Sequence, residues 1–193
     1  MKKAMLILGT GIAMFTMACN ETTTSNKERQ DSIDKQVEKK EDMNEKVTDD
    51  KTASFVVDAA EAGMAEVKMG ELAVKKASNK KVKEFGAMMV KDHTQANDEL
   101  KALAAKKGWA LPTALVEEHQ KHLDELGKKT GAEFDKEYVD MMVDGHDKVI
   151  KMFENAGEDS KDVDLKAWIG KTLPTLHKHS EEIKAIKETQ KKM

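Results

Sequence analysis

The chain has one cysteine, Cys19, among 193 residues, so no disulfide can form within it and no Cys/His pair is available for nucleophilic chemistry. Proline occurs only at Pro112 and Pro174, which leaves long stretches free to be helical. The formal net charge is −3, without the basic surplus that marks a nucleic-acid partner. The longest apolar stretch, Ala4 to Met17, is too short to span a bilayer as a mature helix. What is present, 36% charged and 39% hydrophobic residues with 4% aromatics, suits one soluble α-helical domain with appendages.

The ordering element is a motif used twice. Residues 83–93 read KEFGAMMVKDH and residues 136–146 read KEYVDMMVDGH, so that Met89 and His93 correspond to Met142 and His146. Each copy sits in a run whose apolar residues alternate steps of four and three, the spacing that keeps side chains on one helix face. The first stripe is Val82, Gly86, Met89, His93, Ala96, Leu100 and Leu103, and the second is Val139, Met142, His146, Val149, Phe153 and Ala156. Upstream, Phe55, Ala59, Ala62, Glu66, Met69 and Ala73 form a third stripe, and downstream Leu165, Ile169, Thr172, Leu176, His179, Ile183 and Ile186 form a fourth. Four core-facing stripes therefore each carry one residue of metal-ligand type at mid-length: Glu66, His93, His146 and His179.

The turns predict the topology. Helix one should run from about Ala53 to Ala77, and Ser78-Asn79 turns it into an antiparallel helix two that ends near Gly108. A shorter helix from Thr113 to about Lys128 returns the chain along the bundle, so helix three, opened by Gly131 and closed by Gly157, runs parallel to helix two. Helix four follows from about Asp162, bent near His179 by Pro174. The expected fold is all-α, a ferritin-like up-down-down-up four-helix bundle with a crossover helix, spanning residues 53–193. Counted from the turns, Glu66 and His93 differ in height by about 5 Å, whereas His146 and His179 differ by about 16 Å, which makes His179 the worst-placed member of the set.

One carboxylate and three imidazoles suit a transition metal such as Zn, Fe, Mn or Cu, and the alternative is a polar cluster satisfied by its own hydrogen bonds. Met89 and Met142, one turn before two of the histidines, are read as core filling. A ferritin-type di-iron centre needs Glu-x-x-His on two helices, and no histidine here has a Glu three residues before it. Asp92 and Asp144 lie beside the seams, where they could back up a histidine, but are read as solvated. His119, His122 and His177 are read as surface residues.

Lys2 and Lys3 before the apolar stretch make residues 1–19 a secretory signal. It ends Thr16-Met17-Ala18-Cys19, and a small residue directly before Cys resembles the lipobox of bacterial lipoproteins, although Thr16 replaces the usual Leu. An ordinary cleaved signal with an incidental cysteine is the alternative. Asn20 resembles the residue of lipoproteins passed on to the outer membrane, so the expected place is the outer membrane facing the periplasm and the expected partner the membrane itself, through lipid on Cys19. Residues 20–52, with Ile33, Val37, Met43 and Val47 as their only sizeable apolar side chains, are predicted to be a disordered tether.

From Phe55 to about Ile186 the chain resembles the bacterial family catalogued as domain of unknown function 4142. The resemblance is carried by FVVDAA at 55–60, AEV at 65–67, KDHT at 91–94, LP at 111–112, FDKEY at 134–138, His146, and LPTL at 173–176 with His179. It implies a ferritin-like bundle of the outer membrane or periplasm, and its Glu and His positions match the four stripe residues. It implies no activity. Two functions stand: an envelope protein that binds a transition metal, or a non-catalytic envelope bundle whose polar core fixes helix register and whose surface binds a partner.

Cys19→Ser is expected to release the protein from the membrane fraction. A variant that still sediments with membranes would remove the lipid anchor.

Overall fold

A computed structural model describes Lys35 and residues 51–192. The signal, Cys19 and nearly all of the expected tether lie outside the described residues; Lys35 is helical and exposed. Five helices make up the rest: α1 over residues 51–76, α2 Lys80–Lys107, α3 Glu117–Lys128, α4 Gly131–Asp159 and α5 Val163–Gln190. None of the described helices is long and apolar enough to cross a membrane.

Local chemistry sets most of the boundaries. The Asn79 side chain accepts from the backbone N–H of Lys81 at 2.8 Å and starts α2, while Gly108, at φ 74°, ends it in the left-handed conformation that costs glycine least. Asp162 opens α5 by accepting from the N–H of Leu165 at 2.9 Å. The turn between α1 and α2 is fastened to the start of α4 by the buried Asp135. Its carboxylate accepts from the N–H groups of Ser78 at 3.0 Å and Asn79 at 2.8 Å and from the Ser78 hydroxyl. A buried carboxylate is tolerable there because its lone pairs are occupied.

Contacts at the two ends give the helix directions. At one end Asp135 meets the α1–α2 turn, and Lys76 donates to the carbonyl of Gly127 at the close of α3. At the other end Lys51 pairs with Asp159 at 3.1 Å, and Lys107 pairs with Asp162 and Asp164 at 2.5 and 2.9 Å. Helices α1 and α5 therefore run one way and α2 and α4 the other, the up-down-down-up order the turns predict, with α3 as the crossover.

Two boundaries differ from the expectation. The crossover helix starts at Glu117, not Thr113, because residues 108–116 lay Trp109 and Leu111 against the core instead of coiling. Gly157 lies inside α4 and does not end it. A Cβ there would come within 3.3 Å of the Ile169 side chain, so this glycine serves the approach of α5 to α4. The corrected boundaries resolve the height problem: His146 lies 13 residues before the end of α4 and His179 16 after the start of α5, a difference of about 5 Å.

Every residue of the four predicted stripes is buried or half-buried. They form two apolar clusters. One gathers Phe85, Met89, Phe134, Tyr138, Met142 and Ile183 near the α1–α2 turn, and the other Phe55, Leu100, Phe153, Leu165 and Trp168 at the opposite end. Glu66, His93, His146 and His179 lie at the level between them. Small residues hold α1 and α2 close between that level and the α1–α2 turn. A Cβ on Gly86 would stand 2.7 Å from the Ala73 Cβ and 2.9 Å from the Gly70 carbonyl oxygen, and one on Gly70 2.8 Å from the Gly86 carbonyl oxygen.

Gly86→Ala is therefore expected to lower stability by about 1–2 kcal/mol, an overpacking cost toward the upper end of ~1–3 kcal/mol less the ~1 kcal/mol that alanine gains in helix propensity. Chemical denaturation measures it; an unchanged or raised midpoint would mean the two backbones can separate freely.

Candidate metal centre

Each of the four helices brings one polar side chain to the central level, and all four are almost wholly buried: Glu66 and His93 are 5% exposed, His146 and His179 0%. The ring centroids lie 6.0 Å (His93–His146), 5.2 Å (His93–His179) and 5.6 Å (His146–His179) apart. Phe85 caps the group from the apolar side, 6.4 Å from the His146 ring and 6.2 Å from the His179 ring.

The arrangement repeats itself on each ring. His93 Nδ1 lies 3.0 Å from Glu66 Oε2, His146 Nδ1 lies 2.9 Å from the Met142 carbonyl oxygen, and His179 Nε2 lies 3.0 Å from Asp92 Oδ2. The other nitrogen of each ring, Nε2 of His93, Nε2 of His146 and Nδ1 of His179, is buried and has no hydrogen-bond partner among the described residues. A carbonyl can only accept, so His146 donates from Nδ1 and its Nε2 keeps a lone pair. The same logic at the Asp92 carboxylate leaves a lone pair on His179 Nδ1. One nitrogen from each of the three rings can be chosen so that all lie within 4.8 Å of one another. Nitrogens sharing one ion at 2.0–2.1 Å lie about 3.4 Å apart, so rotations of the three rings that move each nitrogen by about an ångström would complete such a site.

Burial also selects the neutral forms. It lowers the pKa of His93 to about 3, with the neighbouring His179 and His146 acting in the same direction. It lowers His146 to about 4, against the opposing pull of the Met142 carbonyl, and it lowers His179 against the opposing pull of Asp92. Burial raises the Glu66 carboxyl to about 8. Neutral imidazoles are the form in which histidine offers a lone pair to a metal.

All four residues picked out by stripe position meet here, including His179. They do not stand in equivalent places. Glu66 contacts His93 through the nitrogen opposite the one left unpartnered, and is 3.8 Å from His146 Nδ1, so it stands behind the rings and outside the group of three. Asp92, read from the sequence as solvated, is half-buried and holds His179. Its place beside the α2 stripe is visible in the sequence, but that α5 lies on that side is not. Asp144 is exposed, as expected, and Met89 and Met142 fill the core. His122 and His177 are exposed, whereas His119 is half-buried and faces Glu61 at 3.7 Å.

Fold and site together define a helical bundle protein with a buried three-histidine cluster at mid-height. The chain belongs to the family described as Domain of unknown function (DUF4142), whose sequence model matches residues 36–186. That match begins inside the segment read as a tether. Among solved structures the fold is similar to a DUF305 fragment from Deinococcus radiodurans, with TM-score 0.62, 8% identity, and coverage of 70% of this chain and 94% of that one. It is also similar to CopM in its Cu(I)-bound form, with TM-score 0.60 and 16% identity, and in its Ag-bound form, with TM-score 0.59 and 17% identity. Both CopM structures cover 70% of this chain and are themselves 94% covered. No curated protein matches the sequence.

The pKa shifts give a pH dependence. The folded histidines titrate below their usual 6.5, so their contribution to stability is complete above pH 6.5 and is lost as pH falls from there toward 4 and 3. Glu66, raised to about 8 from 4.5, acts oppositely: its contribution is complete below pH 4.5 and lost as pH rises through 8. Metal-free protein is expected to melt about 5 °C lower at pH 5 than at pH 7, and the difference should shrink in His146→Leu by an amount equivalent to about 2 kcal/mol. Identical pH dependence in the two proteins would mean that His146 titrates alike in the folded and unfolded states.

Proposed function

We propose that this protein is a lipid-anchored, metal-binding protein of the cell envelope whose bundle holds one transition-metal ion on His93 Nε2, His146 Nε2 and His179 Nδ1. The observation that carries the reading is the meeting of three buried histidines from three different helices: one nitrogen from each can be chosen within 4.8 Å of the others, and each ring has a buried nitrogen with no hydrogen-bond partner among the described residues. A polar cluster that served only to fix helix register would be expected to turn those nitrogens toward one another's donors. Here His146 and His179 instead spend their donors on outer acceptors, and His93 Nδ1 faces Glu66, the arrangement that orients a metal-binding histidine.

In this reading Glu66 and Asp92 orient His93 and His179 and balance the charge of the ion, and Glu66 is not itself a ligand. The all-nitrogen donor set favours Cu or Zn over Mn, which prefers oxygen. Similarity to a fold that binds Cu(I) and Ag in CopM supports copper as the first ion to test. The cluster lacks the paired Glu-x-x-His helices of di-iron enzymes, so the supported role is to bind and hold an ion. The anchor on Cys19 would keep that capacity at the membrane surface.

Metal-free protein is to be melted with Cu(I), Zn(II), Mn(II) and Fe(II) in turn. At a free concentration one hundred times the dissociation constant the bound ion adds about 2.7 kcal/mol, or about 5–10 °C. His93→Ala and His146→Ala should abolish the gain, while Glu66→Gln should only weaken affinity by about ten- to a hundredfold. Melting indifferent to all four ions would overturn the metal reading.

A further inference from the structure

The triad is sealed from solvent, yet a cavity of about 1200 Å³ approaches it between α1, α3 and α4. The crossover helix forms its outer wall and is loosely held, with Leu126 as its one buried residue. The inner wall includes Glu66, whose carboxylate touches His93, and Met142, whose carbonyl holds His146. One layer therefore separates the cavity from His93 and His146.

Its lining suits a cation. Seven carboxylates besides the Glu66 carboxyl line it against three lysines, and one of the three, Lys129, is already paired with Glu133 at 2.7 Å and Glu137 at 4.0 Å. Four thioethers, those of Met69, Met141, Met142 and Met152, lie along the same walls. Where α3 faces α1, the carboxylate of the buried Glu61 stands 3.7 Å from His119 Nδ1, beyond hydrogen-bond length, and that nitrogen is itself buried with no hydrogen-bond partner among the described residues. Two donors that share one ion at about 2.1 Å lie about 3–4 Å apart, so this spacing fits a bridging cation better than a direct hydrogen bond. Glu61 and Glu66 are five residues apart on α1, which separates the pair from the wall of the triad by about 7.5 Å along the helix axis.

We propose that this cavity is the route by which a metal cation reaches the triad, with Glu61 and His119 as a transient docking pair. The proposal rests on the metal-binding reading of His93, His146 and His179. Carboxylates lining a cleft raise the local concentration of cations, and the thioethers offer weak donors along the way. The other approach, past Asp92 between α2 and α5, is occupied by the Asp92–His179 hydrogen bond at 3.0 Å.

The experiment uses metal-free full-length protein, Zn(II) as probe and a fluorescent zinc indicator, with rates by stopped flow and affinity by competition. Glu61→Gln combined with His119→Gln is expected to slow loading about tenfold and to slow release equally, so that the equilibrium affinity stays that of the wild type. Added salt should slow the wild type more than this variant. Loading at the wild-type rate would overturn the route, and so would weaker affinity at an unchanged loading rate, which would make the pair a ligand set of its own. Zn(II) that stays bound in His93→Ala/His146→Ala but is lost in the Glu61/His119 variant would place the ion in the cavity alone and overturn the triad reading as well. A wild type that takes up no Zn(II), while the His-dependent melting shift with Cu(I) persists, would overturn the route for divalent ions and leave the triad standing.

Discussion

A buried imidazole has two nitrogens to satisfy, and the central architecture follows from how that demand is met three times at one level. The protein supplies one outer partner per ring, the Glu66 carboxyl for His93, a backbone carbonyl for His146 and the Asp92 carboxylate for His179. Among the described residues it supplies none for the other nitrogen of each ring. An unpartnered polar atom in a protein interior costs about 1–3 kcal/mol, and three of them in one layer would consume a large share of a typical stability margin of 5–15 kcal/mol. An ion shared by all three, as proposed, would remove that cost at once.

The rest of the bundle keeps those rings where they are. Apolar clusters lie above and below the polar level, and Phe85 closes it from one side. The glycine contacts at Gly70 and Gly86 bring the backbones of α1 and α2 close enough for a side chain as short as Glu66 to reach His93. Asp135 pins the α1–α2 turn to α4, and Lys107 pins the far end of α2 to α5, so the heights of His93, His146 and His179 are set from both ends. Register here is a matter of helix ends as much as of core packing.

The crossover helix stands apart from this rigid frame. It is amphipathic but buries only Leu126, and it borders a cavity rich in carboxylates and thioethers instead of sealing the α1–α4 face. The bundle thus combines a tightly packed interior with one face held open by its shortest helix. Similarity to DUF305 and CopM structures at 8–17% identity extends to the fold, and the chemistry of this chain rests on its own residues.

Much of this was legible in the sequence. The four-three spacing identified every stripe, because a side chain's direction from a helix axis depends only on its position in the chain, and the short turns gave the helix order. Glu66, His93, His146 and His179 emerged as one set for the same reason. Three things needed the tertiary structure. The height of His179 depended on α4 running through Gly157, a glycine that reads as a terminator until Ile169 is seen packed against it. The place of Glu66 behind His93, and not beside it, depended on which ring nitrogen faces which helix. The role of Asp92 depended on α5 lying against its side of α2. Periodicity along a chain fixes which residues face inward, but it carries no information about which atoms of two inward-facing residues on different helices come into contact.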